Sequence, residues 1–234
     1  MKKEKQQESY KCPVCNNTGW ILQENGAYKK CECEIERRNV IALQQAGLNI
    51  EDVHKTFKSF ETYNESTKDM KDIATSYFLS FDVCRRTRNN SIALLGQSGA
   101  GKTHLLLALI NNFISKKKLS IRYMSYRDDI TFLKQSINDL DLYQNKISNY
   151  KKAELLVIDD LFKAGYTDSD IRIMMEIINY RYINYLPTMI SSELFIDDLI
   201  NVDMALGGRI KEMTEKFLFQ VVGVENNYRM KNKN

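Results

Sequence analysis

Residues Gly96-Gln97-Ser98-Gly99-Ala100-Gly101-Lys102-Thr103 follow the pattern G-x-x-x-x-G-K-[ST]. They stand between a short apolar run, Ser91-Ile-Ala-Leu-Leu, and a leucine-rich stretch that begins Thr103-His104-Leu-Leu-Leu. That is the strand, loop and helix setting in which glycines let successive backbone N–H groups curl around a β-phosphate. The helix N-terminus adds a partial positive charge aimed at the same anion. The pattern predicts an ATP site in which residues 96–103 and the adjoining His104 touch the nucleotide. Lys102 is expected to reach the β- and γ-phosphates, and the Thr103 hydroxyl to ligate Mg²⁺.

A second run, Leu155-Leu-Val-Ile-Asp159-Asp160, is an apolar strand ending in two carboxylates. Ligands of open α/β sheets gather at that C-terminal edge. Asp159 is expected to hold Mg²⁺ through its water shell, and Asp160 to orient or deprotonate the attacking water. The plainer alternative for Asp160 is a cap on the segment that follows.

Four of the 5 cysteines form two close pairs, Cys12-Pro-Val-Cys15 and Cys31-Glu-Cys33, around a turn-rich excursion, Gln23-Glu-Asn-Gly-Ala-Tyr. Zn²⁺ takes four tetrahedral thiolates, and so short a segment cannot bury enough core to fold without one. The C-x-C half is the less common spacing, and free or redox-active thiols are the alternative. Cys84, apart from the cluster, reads as a core residue.

The elements that must position these groups follow from periodicity. Met70, Ile73, Ala74, Tyr77, Phe78 and Phe81 recur at helical spacing. Strands are expected at 91–95, 120–125, 155–158, 188–191 and 217–224. Helices are expected after the glycine-rich loop, at 128–137, at 171–185 before Pro187, and at 204–213. Strand and helix alternate, which gives an α/β fold with a five-stranded parallel sheet covered on both faces. We divide the chain into a Cys₄ zinc-binding module at 1–50, a linker at 51–68 and an ATPase domain at 69–234. A hydrophobic share of 43% and a charged share of 27% over 234 residues are ordinary for a soluble globular chain. The net charge of +4 is too near balance to demand a nucleic-acid partner. The first eight residues contain no apolar signal region, and no stretch approaches the ~20 apolar residues of a membrane span, so a cytoplasmic location is expected.

On these motifs, together with Leu186-Pro-Thr-Met-Ile-Ser-Ser192-Glu193, Gly208-Arg209-Ile and Gly223-Val-Glu-Asn-Asn-Tyr-Arg229, the sequence resembles the bacterial replicative-helicase loaders of the DnaC/DnaI type and the related IstB transposition ATPases. The resemblance covers most of the chain. It implies an AAA+ P-loop ATPase that self-associates through its ATPase domain, acts on a replicative DNA helicase and contacts single-stranded DNA. By the same resemblance the sensor 1 residue falls on Ser192 or Glu193, where relatives carry Ser-Asn. Arg209 matches the arginine finger given to a neighbouring subunit, and Arg229 a sensor 2-like arginine near the nucleotide. The zinc module would contact the helicase. A transposition helper is the second reading and a nucleotide or small-molecule kinase the third, with the Asp159-Asp160 pair and the lack of a phosphate-acceptor lid against the kinase. Lys116-Lys-Lys118 and the tail Lys231-Asn-Lys-Asn can touch phosphates or simply be solvated. Tyr123, Tyr126 and Arg127 can stack on single-stranded bases or take core and cap positions.

Overall fold

Between the two cysteine pairs the chain makes an antiparallel hairpin, β1 (Trp20–Leu22) with β2 (Tyr28–Lys30), Trp20 opposite Lys30. The structure, a computed structural model, describes residues 12–230; the first eleven residues of the expected module at 1–50 and the lysine tail lie outside the described residues. A two-stranded hairpin this short is not stable alone. Its interior consists of the four cysteines, with Ile21 packed against them.

A helix not foreseen in the sequence follows, α1 (Glu32–Ala46). Cys31 is its N-cap residue and Cys33 lies in its first turn, where Glu32 and Glu34 complement the helix dipole. Gly47, in the left-handed region at φ +98°, ends it. Leu43, Ala46 and then Leu48 are buried in the same core as the main sheet. α1 therefore leaves the cysteine cluster at one end and enters the ATPase domain at the other.

In place of a linker at 51–68, the chain packs onto that domain. Asn111 donates to the carbonyls of Lys55 at 2.7 Å and Asp52 at 3.1 Å, Phe60 is buried, and Tyr63 donates to the Asn226 carbonyl at 2.6 Å. α2 (Glu65–Cys84) begins five residues before the first residue of its apolar stripe. The reason is a cap: the Asn64 side chain accepts the Thr67 N–H at 2.9 Å. Met70, Ala74, Tyr77, Phe81 and Cys84 form its buried face.

The remaining elements are β3 (Ile92–Gly96), α3 (Lys102–Asn112), β4 (Ile121–Ser125), α4 (Tyr126–Gln135), α5 (Leu140–Lys152), β5 (Leu155–Leu161), α6 (Asp168–Ile183), β6 (Thr188–Ser192), α7 (Ile196–Val202), α8 (Met204–Thr214) and β7 (Leu218–Val221). The sheet order is β4-β5-β6-β3-β7 and every pairing is parallel. Successive residues of β3 feed opposite cores. Ile92 and Leu94 pack with α1, α2 and α3, while Ala93 and Leu95 pack with the helices of the other face. Burial on both faces is what makes the strands read as continuous apolar runs.

α5 and α7 have no clear apolar period. Only Ile147 and Tyr150 of α5 are buried, and the helix is started by Asp139, whose carboxylate accepts the Leu142 N–H at 3.1 Å. Its C-terminal end meets Arg181, which is fully buried and, among the described residues, bonds carbonyls and a hydroxyl in place of a carboxylate. The Arg181 guanidinium donates to the carbonyls of Tyr150 at 2.8 Å, Ala153 at 3.0 Å and Pro187 at 2.6 Å, and to the Thr188 hydroxyl at 3.0 Å. Those carbonyls complement the charge and join α5, α6 and the start of β6. Among the described residues, no helix is long and apolar enough to cross a membrane.

Candidate functional site

The loop between β3 and α3 is held open by glycine. At Gly101, φ is +93° and an added Cβ would stand 2.6 Å from the Phe60 ring; at Gly96, also +93°, it would meet the Val221 carbonyl oxygen at 2.3 Å. No L-residue with a side chain fits either position. Lys102, the first residue of α3, is buried and folds over the loop, donating to the carbonyls of Gly96 at 2.6 Å and Gln97 at 2.8 Å. Burial pulls its ammonium down to about 8.

Thr103 donates to Asp159 Oδ1 at 3.0 Å, which brings the two expected Mg²⁺ residues together. The buried Asp159 carboxylate also accepts Tyr123 Oη at 2.7 Å and the Ser191 hydroxyl. Burial raises its pKa, and the hydrogen bonds from Ser191, Tyr123 and Thr103 oppose the rise. Ser191 in turn accepts the Asp160 N–H at 2.8 Å. A hydroxyl and carboxylate so arranged form a donor set suited to a hard divalent cation.

Asp160 sits where β5 slips register against β6 between Ile158 and Leu161, at φ +58°. Such a bulge re-aims a side chain. Here it leaves adjacent aspartates in different surroundings: Asp159 is buried against hydroxyls, and Asp160 faces a cavity of about 480 Å³. That size is ample for a nucleotide. Residues 98–104 line it, along with Asp160, Lys163, Glu193 and Arg229. Lys55, Ser59, Phe60, Glu61 and Tyr63 complete it, so the stretch expected to be a linker is one of its walls. His104 Nε2 lies 3.0 Å from the Thr56 carbonyl and so carries the proton; its ring meets Phe60 edge-on at 5.3 Å, and burial lowers its pKa.

The two sensor 1 candidates separate. Ser192 is buried, donates to the Leu161 carbonyl at 2.7 Å and accepts the Leu194 N–H at 3.1 Å. Its hydroxyl secures the end of β6, and Ser192 does not line the cavity, which corrects the expectation of Ser192 as a catalytic sensor 1 residue. Glu193 lines the cavity, and a hydrogen bond from Ser98 holds its carboxyl below the usual range. Arg229 is a lining residue; Arg209 is not. Arg209 donates back to the Ala205 carbonyl at 2.9 Å, and its guanidinium lies 5.5 Å from the Tyr182 ring, against which Arg88 also packs, at 3.8 Å.

Tyr123 and Tyr126 are not available for base stacking. The first is committed to Asp159, and the second is buried with its ring 5.5 Å from Phe162. Lys116 and Lys117 lie over the Phe78 ring at 5.7 and 5.1 Å, and Lys117 pairs with Asp82. Sequence reasoning missed Ser191, Lys163 and the wall at 55–63.

The cysteines meet the geometric test for a metal. All four Sγ atoms are buried and lie within 4.8 Å of one another, with Cys12 to Cys31 at 3.8 Å and Cys15 to Cys33 at 3.3 Å. Tetrahedral Zn–S bonds of about 2.3 Å require S–S edges of about 3.8 Å, whereas a disulfide needs about 2.0 Å. The Gly19 N–H points at Cys15 Sγ at 3.3 Å, as an N–H does toward a thiolate. Burial raises the Cys15 thiol, but hydrogen bonds from Cys33 and Gly19 bring it down to about 6, and Cys33 is raised by burial and its neighbours. Four thiols that cannot all ionise side by side are the arrangement a cation relieves.

The geometry of the two aspartates makes one result specific. Asp160→Asn is expected to retain ATP and Mg²⁺ while phosphate release falls by ~10²–10⁴, the range for losing a general base. Nucleotide titration beside a phosphate-release assay checks it. Equal loss of binding and turnover would exchange the roles assigned to Asp159 and Asp160.

A family model described as IstB-like ATP binding protein matches residues 6–233. The PBSX protein XkdC of Bacillus subtilis strain 168 is 35% identical over 233 residues, covering 94% of this chain and 86% of its own. YqaM of the same strain is 38% identical over 203 residues, 83% of this chain; the matched part is 64% of YqaM, so the chain spans less than two thirds of that relative. In fold, the crystal structure of the DnaC helicase loader is similar with a TM-score of 0.64 at 19% identity, over 74% of this chain and 100% of that one.

Proposed function

This chain belongs to the IstB-like ATP-binding protein family and is an AAA+ ATPase, and on that premise we propose that it is a loader of a replicative DNA helicase, an ATP-driven assembly switch acting in the cytoplasm. The observation that carries this reading is the continuity of residues 31–64. They run from the cysteine cluster along α1 into the sheet core and then along the wall of the cavity. A small exposed module and the nucleotide site are thereby joined without a flexible break, as suits a protein whose nucleotide state governs a protein contact.

Within the proposed site, Lys102 exchanges the Gly96 and Gln97 carbonyls for the β- and γ-phosphates, and the loop N–H groups receive the β-phosphate. Thr103 and Asp159 would hold Mg²⁺, which when bound neutralises charge on the phosphate oxygens. Asp160 orients the attacking water, Glu193 flanks the γ-phosphate, and Arg229 approaches the nucleotide from the C-terminal segment. Arg209, turned away from its own cavity, serves the site of an adjoining copy. Cys12, Cys15, Cys31 and Cys33 would hold Zn²⁺, which supplies the centre that the hairpin otherwise lacks. We assign the metal module to residues 12–33 and the ATPase domain to everything from the last turn of α1 onward.

The test mixes the full chain with the replicative helicase of its own cell and measures the mass of the complex by light scattering. A complex that forms with an ATP analogue and is lost in Lys102→Ala is the expected result. ATP turnover without helicase association, together with binding to a transposase–DNA complex, would favour the transposition reading instead. Single-stranded DNA added to the same mixture reads out whether it is a further partner.

A further inference from the structure

Lys163 has no part in the phosphate-binding pattern, yet it lines the cavity between two acids. Its Nζ lies 2.7 Å from Asp160 Oδ2 and 3.6 Å from Glu193 Oε1, linking a carboxylate near the end of β5 to the one just after β6. An isolated surface pair would be weak and would signify little. This one is built by strained backbone: Asp160, Phe162 and Ala164 hold φ of +58°, +60° and +65° within five residues. Non-glycine residues persist in that region only where the surroundings impose it. The turn is fixed by the buried Phe162 ring against Tyr126 and by the Lys163 N–H donating to the Asp160 carbonyl at 3.0 Å.

The charges give the turn a purpose. Lys102 is occupied with backbone carbonyls, and the cation that pairs with both Asp160 and Glu193 is Lys163. The hydrogen bond to Asp160 raises the Lys163 pKa, which keeps its ammonium charged. A γ-phosphate entering between the two carboxylates would meet repulsion from both, and Lys163 is the cation already there.

We infer that Lys163 is a γ-phosphate ligand that distinguishes ATP from ADP: it holds Asp160 when the cavity is empty or contains a diphosphate, and it turns to the γ-phosphate when ATP binds, freeing the Asp160 carboxylate for the attacking water. The inference rests on reading the cavity as the nucleotide site. It assigns the gating of hydrolysis to a residue of the same chain, separate from any arginine supplied by a neighbour.

The experiment titrates full-length wild type, Lys163→Ala, Lys163→Arg and Lys102→Ala with fluorescent ADP and with a non-hydrolysable ATP analogue, both with Mg²⁺. Lys163→Ala is expected to lose roughly ten- to a hundredfold in affinity for the triphosphate, the scale of a charged hydrogen bond, and to keep its ADP affinity within about twofold. Lys163→Arg should recover most of the loss. Equal losses for both nucleotides would mean a structural effect, and no loss for either an idle surface pair; each overturns the inference. If Lys102→Ala abolishes binding while Lys163→Ala changes nothing, only the role of Lys163 falls. If Lys102→Ala binds both nucleotides normally, the cavity has been misread and Lys163 falls with it. Lys163→Met, which keeps the apolar stem, replaces the alanine variant should circular dichroism show that variant unfolded.

Discussion

Arg209→Ala is expected to bind ATP within about twofold of wild type and to lose ~10³–10⁵ of its hydrolysis rate, the range for an arginine supplied to a neighbouring site. The expectation follows from where the side chain is and where it is not. Arg209 is absent from the lining of its own cavity and is held on α8 by the Ala205 carbonyl and the Tyr182 ring. Tyr182 is itself braced by Arg88 and by a 2.7 Å hydrogen bond to Glu212, so the guanidinium is presented on a supported surface. If it serves a nucleotide site from that position, the site belongs to another chain. Wild-type turnover per chain should therefore rise with protein concentration. Mixing Arg209→Ala with Lys102→Ala chains should restore part of the activity, because an intact finger then meets an intact phosphate loop. If both variants assemble and mixing restores nothing, Arg209 is an ordinary solvated residue of α8.

The second large effect concerns the cysteines. Metal analysis of protein purified under reducing conditions is expected to find one zinc per chain, bound with an apparent stabilisation of ~10–16 kcal/mol, the range for structural zinc in small peptides. That exceeds anything the hairpin can gain from burial, since its interior is the four thiols and Ile21. Chelation should expose residues 12–33 to protease and fray the first turn of α1, in which Cys33 sits. It should leave the far end of α1 protected, because Leu43 and Ala46 belong to the core of the sheet. ATP binding should survive. Zinc-free protein in which the hairpin resists protease would rule out the metal centre.

The phosphate loop and the apolar run ahead of Asp159 were legible because their chemistry admits few substitutes: only glycine tolerates the backbone at Gly96 and Gly101, and Leu155 to Ile158, buried on both faces, are all apolar. The same logic fails for α5, where a cap at Asp139 and carbonyl bonds from Arg181 stand in for an apolar stripe. It fails again at the end of β6. Alternation along a strand tells which residues share a face, but a bulge shifts the count by one. The register slip beside Asp160 sets Asp159 and Asp160 opposite Ser191 alone, so that its hydroxyl bonds both, while Ser192 turns to the Leu161 carbonyl and Glu193, just past β6, lines the cavity. The wall at 55–63 was read as a linker because its apolar anchors, Phe57 and Phe60, are too few to set a period, and its other contacts are local or to single groups such as the Asn226 carbonyl, Tyr228 and His104.

α1 can also be considered as a lever. At 1.5 Å per residue its 15 residues reach about 22 Å. Taken as its pivot, Gly47, in the left-handed region, stands eight residues before the wall of the cavity at 55–63. A tilt of about 10° at that pivot would carry the cysteine end through about 4 Å, by the length of the arm alone. Motion too small to disturb the packing around the phosphates would thus arrive at the far end as a displacement comparable to the width of a side chain, enough to make or break a protein contact.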